Sequence, residues 1–430
     1  MIQEFNQINK VNGELKLPGD KSVSHRAVMF ASLAKGDSVI YNLLESEDIY
    51  STINAFRDMG CDIVKYQNRF SVKGAGFKNF KEPFRPLYMG NSGTTSRLIC
   101  GILASQNFTT TLTGDESLSK RPMKRISEPL KLMGAEIETS ENGTLPVIIN
   151  PSNRLKAIEY NLPVASAQIK SAVLLAGLHL EETTTVVENL PSRNHTETML
   201  GLKTEKRGGG NKIYVSHKDY PEPKEYFVPS DISSSAFFIV LTLLLKNSEL
   251  IIKNILLNET RTGILNVLKA MGGNIEIIDQ KISSGEMYGD ILIKSSKLKN
   301  IEIPEEIIPN IIDEIPILTI AGIFAEGDFI IRDAKELRAK ESDRITSVCE
   351  NLKLLGLSVE EFEDGYKVSG NISSRKITFQ SYHDHRIAMA FSILSLVLEQ
   401  GGSIENFECV SISNPSFLEQ VQIITTDEAG

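Results

Sequence analysis

One pattern of apolar and polar positions recurs along the chain. An amphipathic helical stretch closes on a bulky apolar residue and a glycine, and an alternating stretch follows. The copies are Phe56-Arg57-Asp58-Met59-Gly60-Cys61, Leu130-Lys131-Leu132-Met133-Gly134-Ala135, Leu268-Lys269-Ala270-Met271-Gly272-Gly273 and Leu352-Lys353-Leu354-Leu355-Gly356-Leu357, with a weaker copy at Thr198-Met199-Leu200-Gly201-Leu202. Each glycine can take the left-handed position that ends a helix. The alternation after it, as in Glu136-Ile137-Glu138 or Asn274-Ile275-Glu276-Ile277, predicts a half-buried strand. A spacing of about 70 residues is too long for a short-repeat solenoid and suits a βαβαββ unit. Six such units fill the chain, three to a domain, in the α/β class. Glycine, proline and serine punctuate Leu17–Asp20 and Val228–Asp231, and the domain crossings are expected there. That gives one domain of residues 1–19 plus 231–430 and an inserted domain of residues 20–230.

A second pattern runs beside the first. Many helices open on small polar or basic residues: Asn91-Ser92-Gly93-Thr94-Thr95-Ser96-Arg97, Ser166-Ala167-Gln168-Ile169-Lys170, Ser230-Asp231-Ile232-Ser233-Ser234-Ser235 and Asp384-His385-Arg386. Taken singly, each is an ordinary capping cluster. Taken together in one cleft, their dipoles attract an anion. The most telling start is Pro18-Gly19-Asp20-Lys21-Ser22-Val23-Ser24-His25-Arg26. Ser22 and Arg26 share a helical face, and Lys21 stands at the helix N-terminus, where orphan N–H groups already favour phosphate or carboxylate.

Bulk composition narrows the class. With 430 residues, 41% hydrophobic and 23% charged, the chain reads as a two-domain globular enzyme. A net charge of -9 argues against a nucleic-acid partner, so cations that bind an anion must be gathered locally. Four cysteines, Cys61, Cys100, Cys349 and Cys409, form no CxxC pair, which argues for a reducing compartment and against zinc or a disulfide framework. The polar start Met1-Ile2-Gln3-Glu4-Phe5 lacks a signal-peptide core. The run Ala236 to Leu245 is too short to span a bilayer. The expectation is a cytoplasmic, monomeric enzyme that meets no membrane.

Several segments offer chemistry, each with a plainer alternative. Gly93 lets backbone N–H groups approach an anion, yet neither a P-loop nor a GxGxxG fingerprint is present. Lys120-Arg121-Pro122-Met123-Lys124-Arg125 is a mobile basic lid or a solvated loop, with Pro122 expected in the first turn of a helix. Ser192-Arg193-Asn194-His195-Thr196-Glu197 offers Arg193 to an anion, while His195 suits a cap or a core. Ile312-Asp313-Glu314-Ile315-Pro316 supplies a helix cap or a partly buried general base. Glu336-Leu337-Arg338-Ala339-Lys340-Glu341-Ser342-Asp343-Arg344 puts Lys340 and Arg344 on one helical face with Glu341 beside them, which is either an ion-paired surface or a grip on phosphate.

Together these segments resemble the EPSP synthase family, the 3-phosphoshikimate 1-carboxyvinyltransferases. The resemblance runs from about residue 13 to about residue 420 with every motif in order: Gly19-Asp20-Lys21-Ser22, Gly90-Asn91-Ser92-Gly93-Thr94, Lys120-Arg121-Pro122-Met123, Ser166-Ala167-Gln168-Ile169-Lys170, Asp313-Glu314-Ile315-Pro316, Lys340-Glu341-Ser342-Asp343-Arg344 and Asp384-His385-Arg386. It implies two inside-out α/β domains of three βαβαββ repeats each, with the active-site cleft between them. It also implies transfer of the enolpyruvyl group of phosphoenolpyruvate to the 5-hydroxyl of shikimate 3-phosphate, with release of phosphate and without metal or organic cofactor. In the roles so implied, Lys21, Ser22, Arg26, Ser166, Ala167, Gln168, Arg193, Asp313 and Lys340 bind shikimate 3-phosphate. Lys21, Gly93, Arg121, Gln168, Arg344 and Arg386 surround phosphoenolpyruvate. Asp313 takes the hydroxyl proton, and Glu341 with Lys21 handles the proton at the enol carbon.

The chain departs from the family pattern at Ile412-Ser413-Asn414-Pro415, where many members carry a lysine, at Glu336, where some have asparagine, and at Ala167, where some have serine. Ser166–Lys170, Arg193–Glu197 and Asn258-Glu259-Thr260-Arg261 resemble the glyphosate-tolerant class II subgroup. Two rival readings remain. The related UDP-N-acetylglucosamine enolpyruvyl transferases usually carry a reactive cysteine in the lid, absent from Lys120–Arg125, and favour Lys-Asn over Lys21-Ser22. A non-catalytic anion-binding scaffold would not need Asp313 and Glu341.

Overall fold

The computed structural model describes residues 1–373 and 375–425. The chain divides into two compact units. The terminal unit holds Met1–Leu17, Ser230–Lys281 and the chain from Met287 onward, and the inserted unit holds Pro18–Pro229 with Ile282–Glu286. One segment departs from the expected division. Ile282–Glu286, at the turn between the strands Asn274–Ser283 and Glu286–Lys294, belongs to the inserted unit. Local bonds explain it: Phe227 N donates to Ser283 Oγ at 3.3 Å, and His195 Nδ1 meets Glu286 Oε1 at 2.8 Å.

Among the described residues each unit carries three sheets. In the inserted unit the spatial orders are Glu225–Phe227, Lys35–Tyr41, Arg69–Ala75, Asp62–Tyr66; then Leu87–Tyr88, Thr110–Thr113, Val147–Asn150, Glu136–Thr139; then Glu159–Asn161, Thr184–Glu188, Gly210–Val215, Thr204–Arg207. In every one the first pair is parallel and the next two are antiparallel. The terminal unit repeats the scheme. Asn12–Lys16 lies parallel to Glu249–Leu256, which runs antiparallel to Glu286–Lys294. The strands Ile377–Gln380 and Gly402–Glu405 are parallel, and the N-terminal strand Ile2–Phe5 closes that sheet antiparallel. The remaining sheet, Phe329–Ile331, Tyr366–Ser369, Ser358–Glu361, has only a Lys299–Glu326 bridge in its parallel position. The βαβαββ unit read from the sequence therefore recurs, and the glycines behind it, Gly60, Gly134, Gly201, Gly272 and Gly356, all have positive φ. At Gly134 a Cβ would also fall 2.2 Å from the Arg154 carbonyl, so no other residue fits.

The helix that opens each repeat is buried nearly all round. Ile232–Leu244 hides every residue but Ser234 and Leu244, the mark of a core helix rather than a surface one. Gly93–Leu103 and Ala167–Gly177 touch at the backbone, for a Cβ on Gly101 would lie 2.1 Å from the Ala172 carbonyl. Because these helices are spent on the core, their polar N-termini are the parts left to meet a ligand. Among the described residues no single helix is long and apolar enough to cross a membrane.

The fold also buries a histidine that chemistry does not need. His179 stacks on Phe77 and meets the edge of Tyr220, and its Nδ1 donates to the Leu175 carbonyl at 2.9 Å. Burial, helped by Lys78, lowers its pKa from 6.5 to about 4 against the hydrogen bonds that raise it. A depressed histidine pKa means the unfolded chain takes up the proton first, so stability is lost as pH falls below 6.5. Relative to a His179→Phe variant, the native chain should lose about 2 kcal/mol between pH 7 and pH 5, measured by urea unfolding at both pH values. An equal loss in the two proteins would refute the assignment.

Candidate active site

In the inserted unit, Asp20 caps the helix Lys21–Leu33, its Oδ1 accepting from Val23 N at 2.8 Å. That fixes Lys21, Ser22 and Arg26 on the first turns. Lys21 is ion-paired with Asp48. Arg26 is only 3% exposed and donates to Thr196 Oγ1 at 2.8 Å, Ser171 Oγ at 2.8 Å and the Ser22 carbonyl at 3.0 Å. These partners are hydroxyls and a carbonyl, none of them charged. Burial brings its pKa down to about 10, against Glu197, Asp20 and Glu286, while the half-buried Arg193 lowers it further. A buried guanidinium held only by neutral groups is a seat for an anion. Lys170, by contrast, is spent: it is fully buried between Glu188 at 2.9 Å and Glu197 at 2.7 Å.

The Asn91–Gly93 bend lies beside this turn. Ser92 caps the helix Gly93–Leu103. A line of hydroxyls joins the two helix starts: His25 Nδ1 to Thr52 Oγ1, Thr52 to Thr95 Oγ1 and Thr95 to Ser92 Oγ, each 2.7 Å. Burial beside Lys21 and Arg26 keeps the His25 pKa well below its ordinary value, so the imidazole stays neutral. Arg121 is tied to the bend. Its Nη2 donates to Asn91 Oδ1 at 2.7 Å and Ser117 Oγ at 3.2 Å. Pro122 likewise stands before its helix, which begins at Lys124 because Met123 and Lys124 N–H groups both bond the Gly143 carbonyl. Gln168, two residues past the Ser166 cap and next to Ala167, accepts from Arg97 Nη1 at 2.6 Å and donates to Thr94 Oγ1 at 3.3 Å. Gly93, Arg121 and Gln168 are thus gathered around Arg97, which the sequence reading left unassigned.

In the terminal unit the organising group is Arg344, almost wholly buried. Its Nε donates to Asp384 Oδ2 at 2.7 Å, Nη2 to Glu341 Oε2 at 2.7 Å and Nη1 to Asp313 Oδ1 at 3.1 Å. Burial opposes the charge, yet the three carboxylates outweigh it and raise its pKa above the ordinary guanidinium value. Lys340 approaches Asp313 Oδ1 at 3.6 Å and Glu336 at 3.2 Å, and Arg386 Nη1 donates to the Asp313 carbonyl at 3.3 Å. The expected single helix bearing Lys340 and Arg344 is not formed. Residues Lys335–Ala339 make a 3₁₀ turn, Lys340 is extended, and a new helix begins at Arg344 because Asp343 caps it, accepting from Thr346 N. Lys340, Glu341 and Arg344 still converge, now across a break rather than along a face. The Ile412–Pro415 segment contributes no cation; Asn414 there exchanges hydrogen bonds with Gln420.

Comparison with known proteins decides between chemistries that this geometry leaves open. Residues 5–421 match the family model described as EPSP synthase (3-phosphoshikimate 1-carboxyvinyltransferase). The chain belongs to the EPSP synthase family. It is accordingly an enolpyruvyl transferase of the shikimate pathway. A curated 3-phosphoshikimate 1-carboxyvinyltransferase from Oceanobacillus iheyensis is 47% identical, covering 96% of this chain and 97% of the relative, and one from Petrotoga mobilis is 47% identical over 97% and 98%. The solved EPSP synthase of Acinetobacter baumannii superposes with a TM-score of 0.87 at 41% identity, covering 99% and 98% of the two chains. The enolpyruvyl transferase NikO of Streptomyces tendae shares the fold, with a TM-score of 0.77 at 16% identity.

As an EPSP synthase relative, the chain has three groups in its polar clusters that motif reading missed. Arg97 bridges to Gln168, Asp384 is the buried carboxylate under Arg344, and Ser171 with Thr196 holds Arg26. Asp384 and Arg97 stood within quoted motifs, but taken singly those runs read as capping clusters. All four thiols are buried, and burial pushes their pKa values up, to about 11 at Cys61 and about 12 at Cys100, Cys349 and Cys409. None is the activated thiol expected of the cell-wall enolpyruvyl transferases.

Proposed function

We propose that the chain performs the family reaction through the residues described above. Lys21, Ser22, Arg26, Ser166, Ala167, Gln168, Arg193, Asp313 and Lys340 hold shikimate 3-phosphate. Lys21, Gly93, Arg121, Gln168, Arg344 and Arg386 hold phosphoenolpyruvate. The 5-hydroxyl oxygen attacks C2 of phosphoenolpyruvate as its proton passes to Asp313. The methylene C3 gains a proton from Glu341 or Lys21, giving a tetrahedral phospho-ketal. Elimination then breaks the C2–O bond to phosphate, a proton leaves the new methyl group to the same acid–base pair, and phosphate departs. Fixed charge steadies the intermediate. The observation that carries this reading is the convergence of Asp313 and Glu341 on Arg344, a base and an acid candidate held on one buried cation.

We also infer that the chain is of the glyphosate-tolerant class II kind and works in the cytoplasm, where its reduced, buried thiols are at home. Glyphosate copies the charges of phosphoenolpyruvate but is longer, so it needs room at Gly93. A Cβ at Gly93 would meet Arg121 and Arg97 at 3.5 Å, ordinary contact. Tolerance therefore comes from how Arg121, Arg97 and the helix start are set, where about 1 Å is decisive. One assay tests both readings. Phosphate release from phosphoenolpyruvate should require shikimate 3-phosphate, and under titration the glyphosate Ki should not fall far below the KM for phosphoenolpyruvate. Release without shikimate 3-phosphate would sink the first reading, and a Ki far below KM the second.

A further inference from the structure

Asn258–Arg261 and Glu314 have no part in the roles above, yet the terminal unit joins them. Arg261 is 2% exposed. Its Nη2 donates to Ser233 Oγ at 2.6 Å and lies 3.6 Å from Asp231 Oδ1. Asp231 caps the core helix Ile232–Leu244, accepting from Ser233 N at 2.7 Å and Ser234 N at 3.4 Å. Ser233 Oγ, having accepted from Arg261, gives its own hydrogen to Glu314 Oε1. Glu314 is 1% exposed and stands at the head of the helix Ile315–Phe324. The same Oε1 lies 3.7 Å from Arg386 Nη1, which also donates to the Asp313 carbonyl. The line Asp231, Arg261, Ser233, Glu314, Arg386 thus runs from one core helix to the backbone of the candidate base.

The chemistry of Glu314 gives this line a purpose. A buried carboxylate is costly unless a cation and hydrogen bonds compensate it. Glu314 meets both needs through Oε1 alone, because its Oε2 is buried without a hydrogen-bond partner. It is only 1% exposed and its contacts are with Ser233 and Arg386, so it is poorly placed to exchange protons with a substrate. Among the described residues it is ion-paired with Arg386, the cation assigned to phosphoenolpyruvate. We propose that Glu314 is a positioning residue for the transfer reaction: locked by Ser233 and Arg261, it sets the guanidinium of Arg386 and, through it, the phosphoenolpyruvate anion against Asp313. This inference rests on the assignment of Arg386 to phosphoenolpyruvate.

The test is a double-mutant cycle of Glu314→Gln with Arg386→Lys, repeated with Ser233→Ala in place of Glu314→Gln. Glu314→Gln keeps shape and removes charge. Expected is a fall in kcat/KM for phosphoenolpyruvate of about tenfold or more, carried partly by KM, with the Kd for shikimate 3-phosphate within about twofold of the native value. The double variant should be no worse than Arg386→Lys alone, because both changes break one device. Ser233→Ala, the milder change, should lose less but show the same non-additivity. Should Glu314→Gln fail to fold, the Ser233→Ala cycle decides. A merely structural role would lower the active fraction, and with it kcat, while leaving KM unchanged. Additive losses, or native kcat/KM in the folded variants, overturn the inference. If Arg386→Lys alone keeps native kcat/KM, the assignment of Arg386 falls and takes the inference with it; an impaired Arg386→Lys with an additive cycle removes the inference only.

Discussion

Replacing Asp313 with alanine is expected to lower kcat by roughly a hundredfold or more, the scale of a lost general base, while shikimate 3-phosphate still binds. The direction of the binding effect separates this from simple damage. Asp313 Oδ1 is shared by Arg344 Nη1 at 3.1 Å and Lys340 Nζ at 3.6 Å. Removing it leaves those two cations with one carboxylate fewer, so affinity for an anionic substrate is kept or gained. Only the step that needs a proton acceptor suffers. Equilibrium binding of shikimate 3-phosphate and single-turnover rates of the Asp313→Ala protein check both halves. A near-native kcat would move the base to Glu341.

Arg344→Met should have the largest effect on stability. Asp384 is fully buried, Glu341 and Asp313 are partly exposed, and Arg344 is the cation that bonds all three. Removing one partner from a buried pair costs about 3–5 kcal/mol because the other charge is left unmatched. The pH dependence carries the sign. Burial raises the Asp384 pKa and Glu341 adds to it, but Arg344 outweighs them, so the folded value lies below the ordinary aspartate value of 3.8. In the native protein that contribution is present above the unfolded carboxylate pKa and is lost as pH falls through the folded one. Without Arg344, burial and Glu341 dominate, the folded pKa rises, and the variant regains stability as pH falls toward the unfolded value. Urea unfolding across the weakly acidic range should therefore show the gap between native and variant proteins narrowing as pH drops. A gap that stays constant would mean that Arg344 does not hold Asp384 ionised.

Much of this was legible beforehand because it is local. The helix-ending glycines mark backbone positions that only a residue without Cβ takes easily, so the repeat showed through the side-chain pattern. Caps such as Asp20, Ser92, Ser166 and Asp384 are bonds between near neighbours in sequence and were visible for that reason. The departures have equally physical causes. A helical face was drawn through Lys340 and Arg344, but the Asp343 cap restarts the helix between them. The sequence leaves Arg121 between a lid and a solvated loop because the amide that holds it, Asn91, is thirty positions away.

What the sequence determined by itself is the kind of parts: a repeated α/β unit, polar helix starts, cations and acids gathered in short motifs, and through those motifs a family. What only the tertiary structure decided is which charge is spent and which is spare. Lys170 and Arg26 are both buried cations on core helices; the first is neutralised by Glu188 and Glu197, and the second rests on hydroxyls. Asp313, Glu314, Glu341 and Asp384 are all acids in family motifs, yet three gather on Arg344 and the fourth turns toward Ser233 and Arg386. No spacing rule separates them, because an ion pair is settled by side chains dozens of positions apart meeting within about 4 Å, and by how little water remains around them.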